Sequence, residues 1–253
     1  MYSIFNRSFF VTGEMSRQFR GRVADGMLTT MLLLLSRSGH TIDDVHYVHL
    51  DEQGKVVMDP GTPLAPGATP HTGVQILFHG ESDRTPRTLE YFSTDLGPGW
   101  VNNPALSRYL DSLGAFDTFI KSASFLLHWR MCDPIREYLL AKCSMIVEDD
   151  TGVPFAYLKP SSWDVQLYGQ YSRPDRPFQR HYQKDLAAAF TEQGRVHPLG
   201  FSLGYGYGRR PSSLIVARRK TGVSAPEPPA KPRKLEVQRR KPVHKRRAGT
   251  AVL

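Results

Sequence analysis

Residues 134–152, PIREYLLAKCSMIVEDDTG, pass from a helical to an extended pattern within one short stretch. Apolar residues recur at helical spacing up to residue 143, and residues 144–147 then form a short apolar run typical of a buried strand. The acidic residues 148–150 follow, before Thr151 and Gly152, in a composition typical of a turn. A helix, a buried strand and an acidic turn in direct succession predict a domain that combines helices with a sheet.

Elements of both kinds lie on either side of this stretch. Hydrophobic periodicity locates the predicted helices, and β-branched or aromatic runs locate the predicted strands. Gly39 is the expected C-cap of the first helix. Strands and helices are mixed but do not alternate strictly, so we predict a single α+β domain; the alternative is an incomplete α/β layer fold. The further predicted helices are residues 24–38, 104–113, 116–129 and 179–193, and the further strands are residues 45–50, 55–58, 74–78, 88–93, 199–207 and 213–217.

The net charge of +9 is distributed very unevenly along the 253 residues. Residues 218–253 contain twelve Lys or Arg and two Glu, a net charge of +10. The first 217 residues contain 21 Lys or Arg and 22 Asp or Glu, which leaves them at −1. The basic character of the chain therefore belongs to its C-terminal segment and is no evidence that the folded part binds nucleic acid.

Residues 218–253 are rich in proline and contain no aromatic residue. Such a segment cannot bury enough apolar surface to offset its ordering entropy, so we interpret residues 1–217 as a globular domain and residues 218–253 as a disordered tail. Basic clusters in the tail can neutralise phosphates of nucleic acid or of an anionic membrane surface; the alternative is a solubilising extension without a dedicated partner. The clusters are Lys231, Arg233, Lys234, Arg239, Arg240, Lys241, Lys245, Arg246 and Arg247.

Neither a membrane span, a disulfide framework nor a metal site is predicted. The most apolar run, residues 27–35, is far shorter than the roughly 20 residues that span a bilayer, and no convincing signal peptide surrounds it. Cys132 and Cys143 are spaced along one predicted helix and are too far apart to form a disulfide there. We therefore expect them to be buried thiols.

Lys121, Ser124 and His128 fall on one face of the helix predicted over residues 116–129. A desolvated lysine or a neutral histidine can accept the proton of a serine and so activate a nucleophile. The alternative is that Lys121 extends its charge to solvent while Ser124 and His128 bond to local partners.

Asp149 and Asp150 follow the predicted strand 144–147. Strand ends collect acidic residues in many α/β sites, and we expect one of these two carboxylates to face His128. The alternative is an ordinary turn, in which aspartates are common.

These features support two hypotheses from different classes. The first is a globular domain whose cationic tail binds polyanions weakly and without sequence specificity. The second is a hydrolase or transferase that uses His128, Lys121 and one of Asp149 or Asp150. Neither hypothesis identifies a cofactor or a small-molecule ligand.

Six segments occur in this order along the chain: residues 8–19, 26–51, 88–96, 120–128, 143–154 and 203–219. Together they resemble an uncharacterised family of bacterial proteins, many of which are predicted to be exported. The family has no established activity. In the family a further N-terminal segment usually precedes the motif that corresponds to residues 9–12, which implies that Met1 is a late start and that the chain is a truncated product not functional alone. The family points to the bacterial envelope, whereas the missing export signal and unpaired cysteines point to the cytoplasm.

Overall fold

The computed structural model describes residues 23–59, 73–93, 104–174, 176–192, 194–204 and 212–222. Residues 223–253 of the predicted tail, which include every residue of the basic clusters, lie outside this part. Short 3-10 helices cover Phe125–His128, Arg130–Cys132, Phe155–Tyr157 and Arg176–His181. The α-helices and strands are α1 (Val23–Arg37), β1 (His40–Leu50), β2 (Val56–Met58), β3 (Gly73–Gly80), β4 (Arg87–Phe92), α2 (Pro104–Ser112), β5 (Phe116–Lys121), α3 (Asp133–Lys142), β6 (Cys143–Glu148), β7 (Trp163–Gly169), α4 (Lys184–Ala189), β8 (Val196–His197) and β9 (Ser213–Arg219).

The strands form two sheets of different character. The smaller sheet has the order β2-β1-β3-β4, and its neighbouring strands are all antiparallel. The larger sheet has the order β5-β6-β9-β7-β8, with parallel pairs at both ends and antiparallel pairs in the middle. Helices and mixed sheets in one domain make the fold α+β, as predicted.

Helix α1 covers one face of the smaller sheet. Met31 of the helix packs with Val74 and Ile76 of β3 in a small buried cluster. The predicted helix 24–38 is thus confirmed to within one residue, and Gly39 follows it with φ of 73°. Within the described part of the chain, the helices are too short or too polar to cross a membrane.

The larger sheet holds the main hydrophobic core. Ile146, Leu167 and Ile215, from three neighbouring strands, are almost completely buried. Helix α3 connects β5 to β6, and a connection of this kind is what allows consecutive strands to run in parallel. Cys132 and Cys143 flank α3 as buried free thiols, in agreement with the sequence analysis.

Helix α2 joins the two sheets. The turn that contains Gly54 packs against α2, and the hydroxyl of Tyr109 on α2 donates to the carboxylate of Glu90 on β4. On its other side α2 meets α3, where Tyr138 donates to Asp111 at 2.9 Å. Leu50 of β1 lies in the same hydrophobic cluster as α2 and the larger sheet, so α2 connects the end of β1 to the main core, which is separate from the cluster at α1.

The prediction of a helix over residues 116–129 is wrong. Its first part is β5, and a sharp turn leads from there into the 3-10 helix Phe125–His128. β5 lies parallel to β6, with Thr118 opposite Met145, so its backbone hydrogen bonds go to the neighbouring strand. Sheet pairing overrides the local periodicity, because β-branched and aromatic residues also suit a half-buried strand.

The helix predicted over residues 179–193 is largely wrong as well. Only α4 is α-helical, and Gln183 interrupts the predicted helix with extended backbone angles (φ −110°, ψ 100°). The Gln183 side chain explains this interruption, since its Nε2 donates to the Asp150 carbonyl at 2.8 Å and its Oε1 accepts from the Phe155 amide at 2.7 Å. A contact distant in sequence thus decides the local conformation.

The predicted pairing of strands 199–207 and 213–217 also needs correction. Residues 199–204 are not extended into a strand, and residues 205–207 lie outside the described part. β9 pairs instead with β6 and β7, and it extends to Arg219. The Arg219 guanidinium donates to the carbonyl of Cys143 at 2.9 Å. The domain therefore continues two residues past the predicted boundary at Ala217.

Gly54 provides a test of the junction between α2 and the smaller sheet. A Cβ at this position, where φ is +82°, would lie 2.7 Å from both the Ala105 carbonyl oxygen and the Tyr109 amide nitrogen. Since backbone atoms cannot move aside easily, we expect Gly54→Ala to lower the free energy of unfolding by about 3 kcal/mol, measured by urea denaturation.

Gly39→Ala is the matched control for this measurement. Gly39 also has positive φ, +73°, but an added Cβ there would meet no atom within 4 Å. We expect this variant to lose only about 1 kcal/mol, the cost of the left-handed conformation. Equal losses in the two variants would show that the junction does not constrain Gly54.

Candidate functional site

The carboxyl ends of β5 and β6 meet at one edge of the larger sheet. The strands are parallel, and Lys121, the last residue of β5, lies opposite Glu148, the last residue of β6. The residues that follow each strand therefore come together, and edges of this type often bind ligands in sheets with parallel strands. This strand-end site contains the five residues predicted from the sequence, Lys121, Ser124, His128, Asp149 and Asp150.

The carboxylate of Asp149 connects the two chain segments that leave the strands. Its Oδ2 accepts from the Ala123 amide at 3.1 Å and from the Ser122 hydroxyl at 3.2 Å. Its Oδ1 accepts from the amide and the hydroxyl of Thr151, at 2.9 and 2.5 Å. Four donors around one buried carboxylate fix its orientation, so Asp149 positions the turn after β5.

Lys121 holds the same turn through its carbonyl groups. Its Nζ donates to the carbonyl oxygen of Ala123 and, at 2.6 Å, to that of Ser124. Burial lowers the pKa of Lys121 below its usual value, although the nearby carboxyl groups of Asp149 and Glu148 act in the opposite direction. The two charged side chains thus bind the turn at complementary groups, Asp149 at an amide and Lys121 at carbonyls.

The turn has an unusual backbone conformation at two consecutive residues. Ala123 has φ of 61° and Ser124 has φ of 68°, and within the described part of the chain these are the non-glycine residues with positive φ. Ser124, with ψ of 111°, directly precedes the 3-10 helix that carries His128. Such conformations cost about 1–3 kcal/mol each and persist only where the surrounding structure imposes them. Lys121 and Asp149 are the residues that impose this one.

The imidazole of His128 is half-buried and has one nitrogen that no partner occupies. The ring packs edge-on against Phe125 and His181, with centroid distances of 5.0 and 5.3 Å. Burial is the largest cause that lowers the pKa of His128 to about 4, and the positive charges of His181 and Lys121 add to it. A hydrogen bond to the Asp150 backbone acts in the opposite direction. Nε2 is buried without a hydrogen-bond partner. At neutral pH the ring is therefore uncharged, and Nε2 is available as an acceptor.

The expected contact between His128 and a carboxylate takes a different form. The ring bonds to the backbone of Asp150, and the Asp149 carboxylate is occupied by the turn residues. The amide of Asp150 donates to the Ser213 hydroxyl at 3.2 Å, and that hydroxyl donates to the Asp150 carboxylate at 3.4 Å. Asp150 thus connects the strand-end site to the beginning of β9.

Glu148 is a member of the site that the sequence analysis did not single out. Its side chain is only 1% exposed. Burial raises the pKa of this carboxyl group well above its usual value, although a hydrogen bond from the Val153 backbone acts in the opposite direction. Oε2 accepts from the Val153 amide at 2.6 Å, and Oε1 is buried without a partner. Strand alternation places Glu148 on the same buried face as Ile146, a signal that was present in the sequence.

An aromatic cluster lies beside His128. The rings of Phe125 and His181 stack at 4.6 Å, and Trp129 lies 5.7 Å from His181. The guanidinium of Arg180 lies over Trp129 at 4.6 Å. This cluster separates Nε2 of His128 from solvent on that side and supplies an apolar and cationic surface next to the site.

The domain has a cavity at each end of the larger sheet. One, of about 560 Å³, is bounded by α4 and the beginning of β7 and lies away from this site. The other, of about 470 Å³, lies near Gly169 and residues 198–202 and is lined by Ser212, which precedes the partner of Asp150, Ser213, so it adjoins this site. Within the described residues, no cluster of His, Cys, Asp and Glu has the arrangement needed to hold a metal ion.

No protein-family model, curated protein or solved structure matches the chain. The resemblance to a bacterial family therefore stays a prediction, and the strand-end site must be interpreted from its own geometry.

The half-buried ring of His128 leads to a prediction about pH. Its pKa is about 4 in the folded protein against 6.5 for an ordinary histidine, so the unfolded chain binds the extra proton first as pH falls. The contribution of the neutral ring to stability is therefore complete above pH 6.5 and is lost progressively toward pH 4. We expect the stability advantage of the wild type over His128→Gln to shrink by about 2 kcal/mol between pH 7 and pH 4.5.

Urea denaturation of both proteins at the two pH values measures this difference. Titration of the His128 ring protons by NMR gives an independent reading. A midpoint near 6.5 in the folded protein would contradict the half-buried, neutral state of the ring.

Proposed function

We propose that the strand-end site is the active site of a hydrolase or transferase in which Ser124 is the nucleophile. The supporting observation is the strained turn at Ser124, which the buried side chains of Lys121 and Asp149 hold in place. Lys121 is the proton acceptor in this proposal, and Asp149 is a positioning residue.

The energetic cost of the turn favours a functional interpretation. Glycine at positions 123 and 124 would adopt positive φ without strain, yet the chain has Ala and Ser there. The burial of a lysine and an aspartate adds a desolvation cost that their hydrogen bonds only offset. Strained residues of this kind concentrate at functional sites. We therefore infer that the turn serves to orient the Ser124 side chain and does not serve to stabilise the fold.

The position of Ser124 between a strand and a helix supports the same interpretation. In some hydrolases a sharp, strained strand-to-helix turn exposes the nucleophilic serine at the edge of a sheet. Here Ser124 follows β5 and immediately precedes the 3-10 helix Phe125–His128. The glycines that flank the serine in those enzymes are absent, so the comparison concerns geometry alone.

The chemistry proposed is acyl transfer. The Ser124 oxygen attacks a substrate carbonyl carbon, and neutral Lys121 accepts the hydroxyl proton. A neutral Nζ keeps two N–H groups for its two carbonyl partners, Ala123 and Ser124, and has one lone pair for the incoming proton. Lys121 returns the proton to the leaving group as the acyl-serine forms, and water or an acceptor alcohol then cleaves this ester.

A fluorophosphonate probe tests the nucleophile without knowledge of the substrate. The serine oxygen forms a bond to phosphorus and fluoride leaves, so we expect one adduct per chain by intact-mass spectrometry, mapped to Ser124. The labelling rate should rise with pH to a midpoint below 10.5, because burial lowers the pKa of Lys121 from that value. Ser124→Ala should abolish the adduct.

Two further variants complete this experiment. Lys121→Arg retains a positive charge and donors but does not deprotonate, so we expect labelling at least about tenfold slower, with folding checked by circular dichroism. Ser144→Ala, at an exposed serine on β6, is the matched control and should label like the wild type. A wild type that does not label, or an adduct that persists in Ser124→Ala, would refute the proposal.

We also propose that the basic tail binds polyanions, which is a second function of a different class. The observation that favours it is the charge distribution, with a net of +10 in residues 218–253 against −1 in the rest of the chain. Binding of this kind rests on counterion release and has little sequence specificity.

Truncation after Gly222 tests the tail while it preserves β9 and the hydrogen bond from Arg219 to the Leu140 carbonyl of α3. We expect the full chain to be retained on heparin and to elute at moderate salt, and the truncated chain to pass through. Replacement of the nine basic residues of the clusters by Gln, at unchanged length, is the control and should behave like the truncation. Equal retention of the full and truncated chains would refute the role of the tail.

A further inference from the structure

The cavity of about 560 Å³ lies at the opposite end of the larger sheet from the strand-end site. Trp163, at the beginning of β7, pairs with Arg219 at the end of β9, whereas Glu148 pairs with Ile215 near the beginning of β9. The cavity is therefore independent of the catalytic proposal above. Its volume is within the range of small-molecule sites, roughly 300–1,000 Å³.

The floor of the cavity is apolar and comes from the domain core. Phe155 and Val165 line it with partly exposed side chains, while Trp163 and Leu158 are only 4% and 2% exposed and lie behind this surface in the core. On α4, Ala188 and Ala189 face the same space, and their small side chains leave room that a larger residue would fill. The floor is therefore suited to an apolar or aromatic group.

The rim of the cavity carries charges of both signs on different elements. Lys159 and Lys220 supply positive charge beside β7 and β9, and Asp164 and Asp185 supply negative charge, the latter from α4. These four side chains form no ion pair within the described part of the chain. Unpaired charges of both signs around an apolar floor complement a ligand with an ammonium group, a carboxylate and an apolar side chain.

We propose that this cavity binds small zwitterions with an apolar side chain, of the size of an aromatic amino acid or a dipeptide. The ligand ammonium lies toward Asp185 and its carboxylate toward Lys159 and Lys220. Its side chain contacts Phe155 and Val165. Recognition uses both charges, because a ligand with one charge forms only part of the ion pairs that a zwitterion forms with the rim.

Isothermal titration calorimetry with L-phenylalanine and L-phenylalanyl-L-phenylalanine tests this site. We expect saturable binding of at least one of them, and at least about tenfold weaker binding of phenylacetate, phenethylamine and N-acetyl-phenylalanine amide, which lack one or both charges. No saturable binding of either zwitterion would overturn the proposal. Equal binding of the uncharged analogue would also overturn it, because the charged rim would then play no part.

Variants at the rim and floor locate the ligand. Asp185→Asn and Lys220→Gln alter exposed side chains, and each should weaken binding at least about tenfold without loss of stability. Ala188→Leu should weaken binding at least about tenfold because the larger side chain narrows the space over the floor. Lys184→Gln, at an exposed residue beside Asp185 that does not line the cavity, is the matched control and should bind like the wild type. Binding unaffected by the rim variants would overturn the proposal.

Discussion

The buried carboxylate of Asp149 is the interaction on which the strand-end site depends. It accepts four hydrogen bonds, two from the turn after β5 and two from Thr151, and so joins segments that are 26 residues apart or more. The chain also closes over this carboxylate at Gly204, where a Cβ would lie 2.0 Å from Oδ2. The conformation of Ser124 and the position of the following 3-10 helix both follow from this anchor.

Burial shifts the pKa values of three side chains in the site. It raises the pKa of Glu148 well above its usual value, lowers that of His128 to about 4 and lowers that of Lys121 below its usual value. Lys121 donates to backbone carbonyls and Asp149 accepts from backbone and hydroxyl donors, and these bonds offset the cost of their desolvation. Asp149 keeps its four donors whatever the protonation state of Lys121, so loss of the lysine proton does not dismantle the turn.

Much of the fold could be predicted from local patterns, and two of the errors share one cause. The helices at α1, α2 and α3 and the strands β2, β3, β4, β6 and β9 lie close to their predicted bounds. β1 begins five residues before its predicted start, and the sequence analysis does not predict β7 or β8. β5 was predicted as helix because its apolar spacing suits either conformation, and the choice is made by pairing with β6. The predicted helix 179–193 is interrupted at Gln183, whose side chain bonds to Asp150 and Phe155. In both cases distant partners override local preference.

The sequence by itself determined the mixed fold class, the separation of a nearly neutral domain from a strongly basic segment, and the choice of Lys121, Ser124, His128, Asp149 and Asp150 as candidates. These properties depend on composition, local periodicity and residue type, which a linear chain displays. Only the tertiary structure decided that these residues meet at the ends of two parallel strands, that a strained turn presents Ser124, and that Glu148 is buried among them. Backbone strain and desolvation arise from atoms that folding brings together, so no local pattern records them.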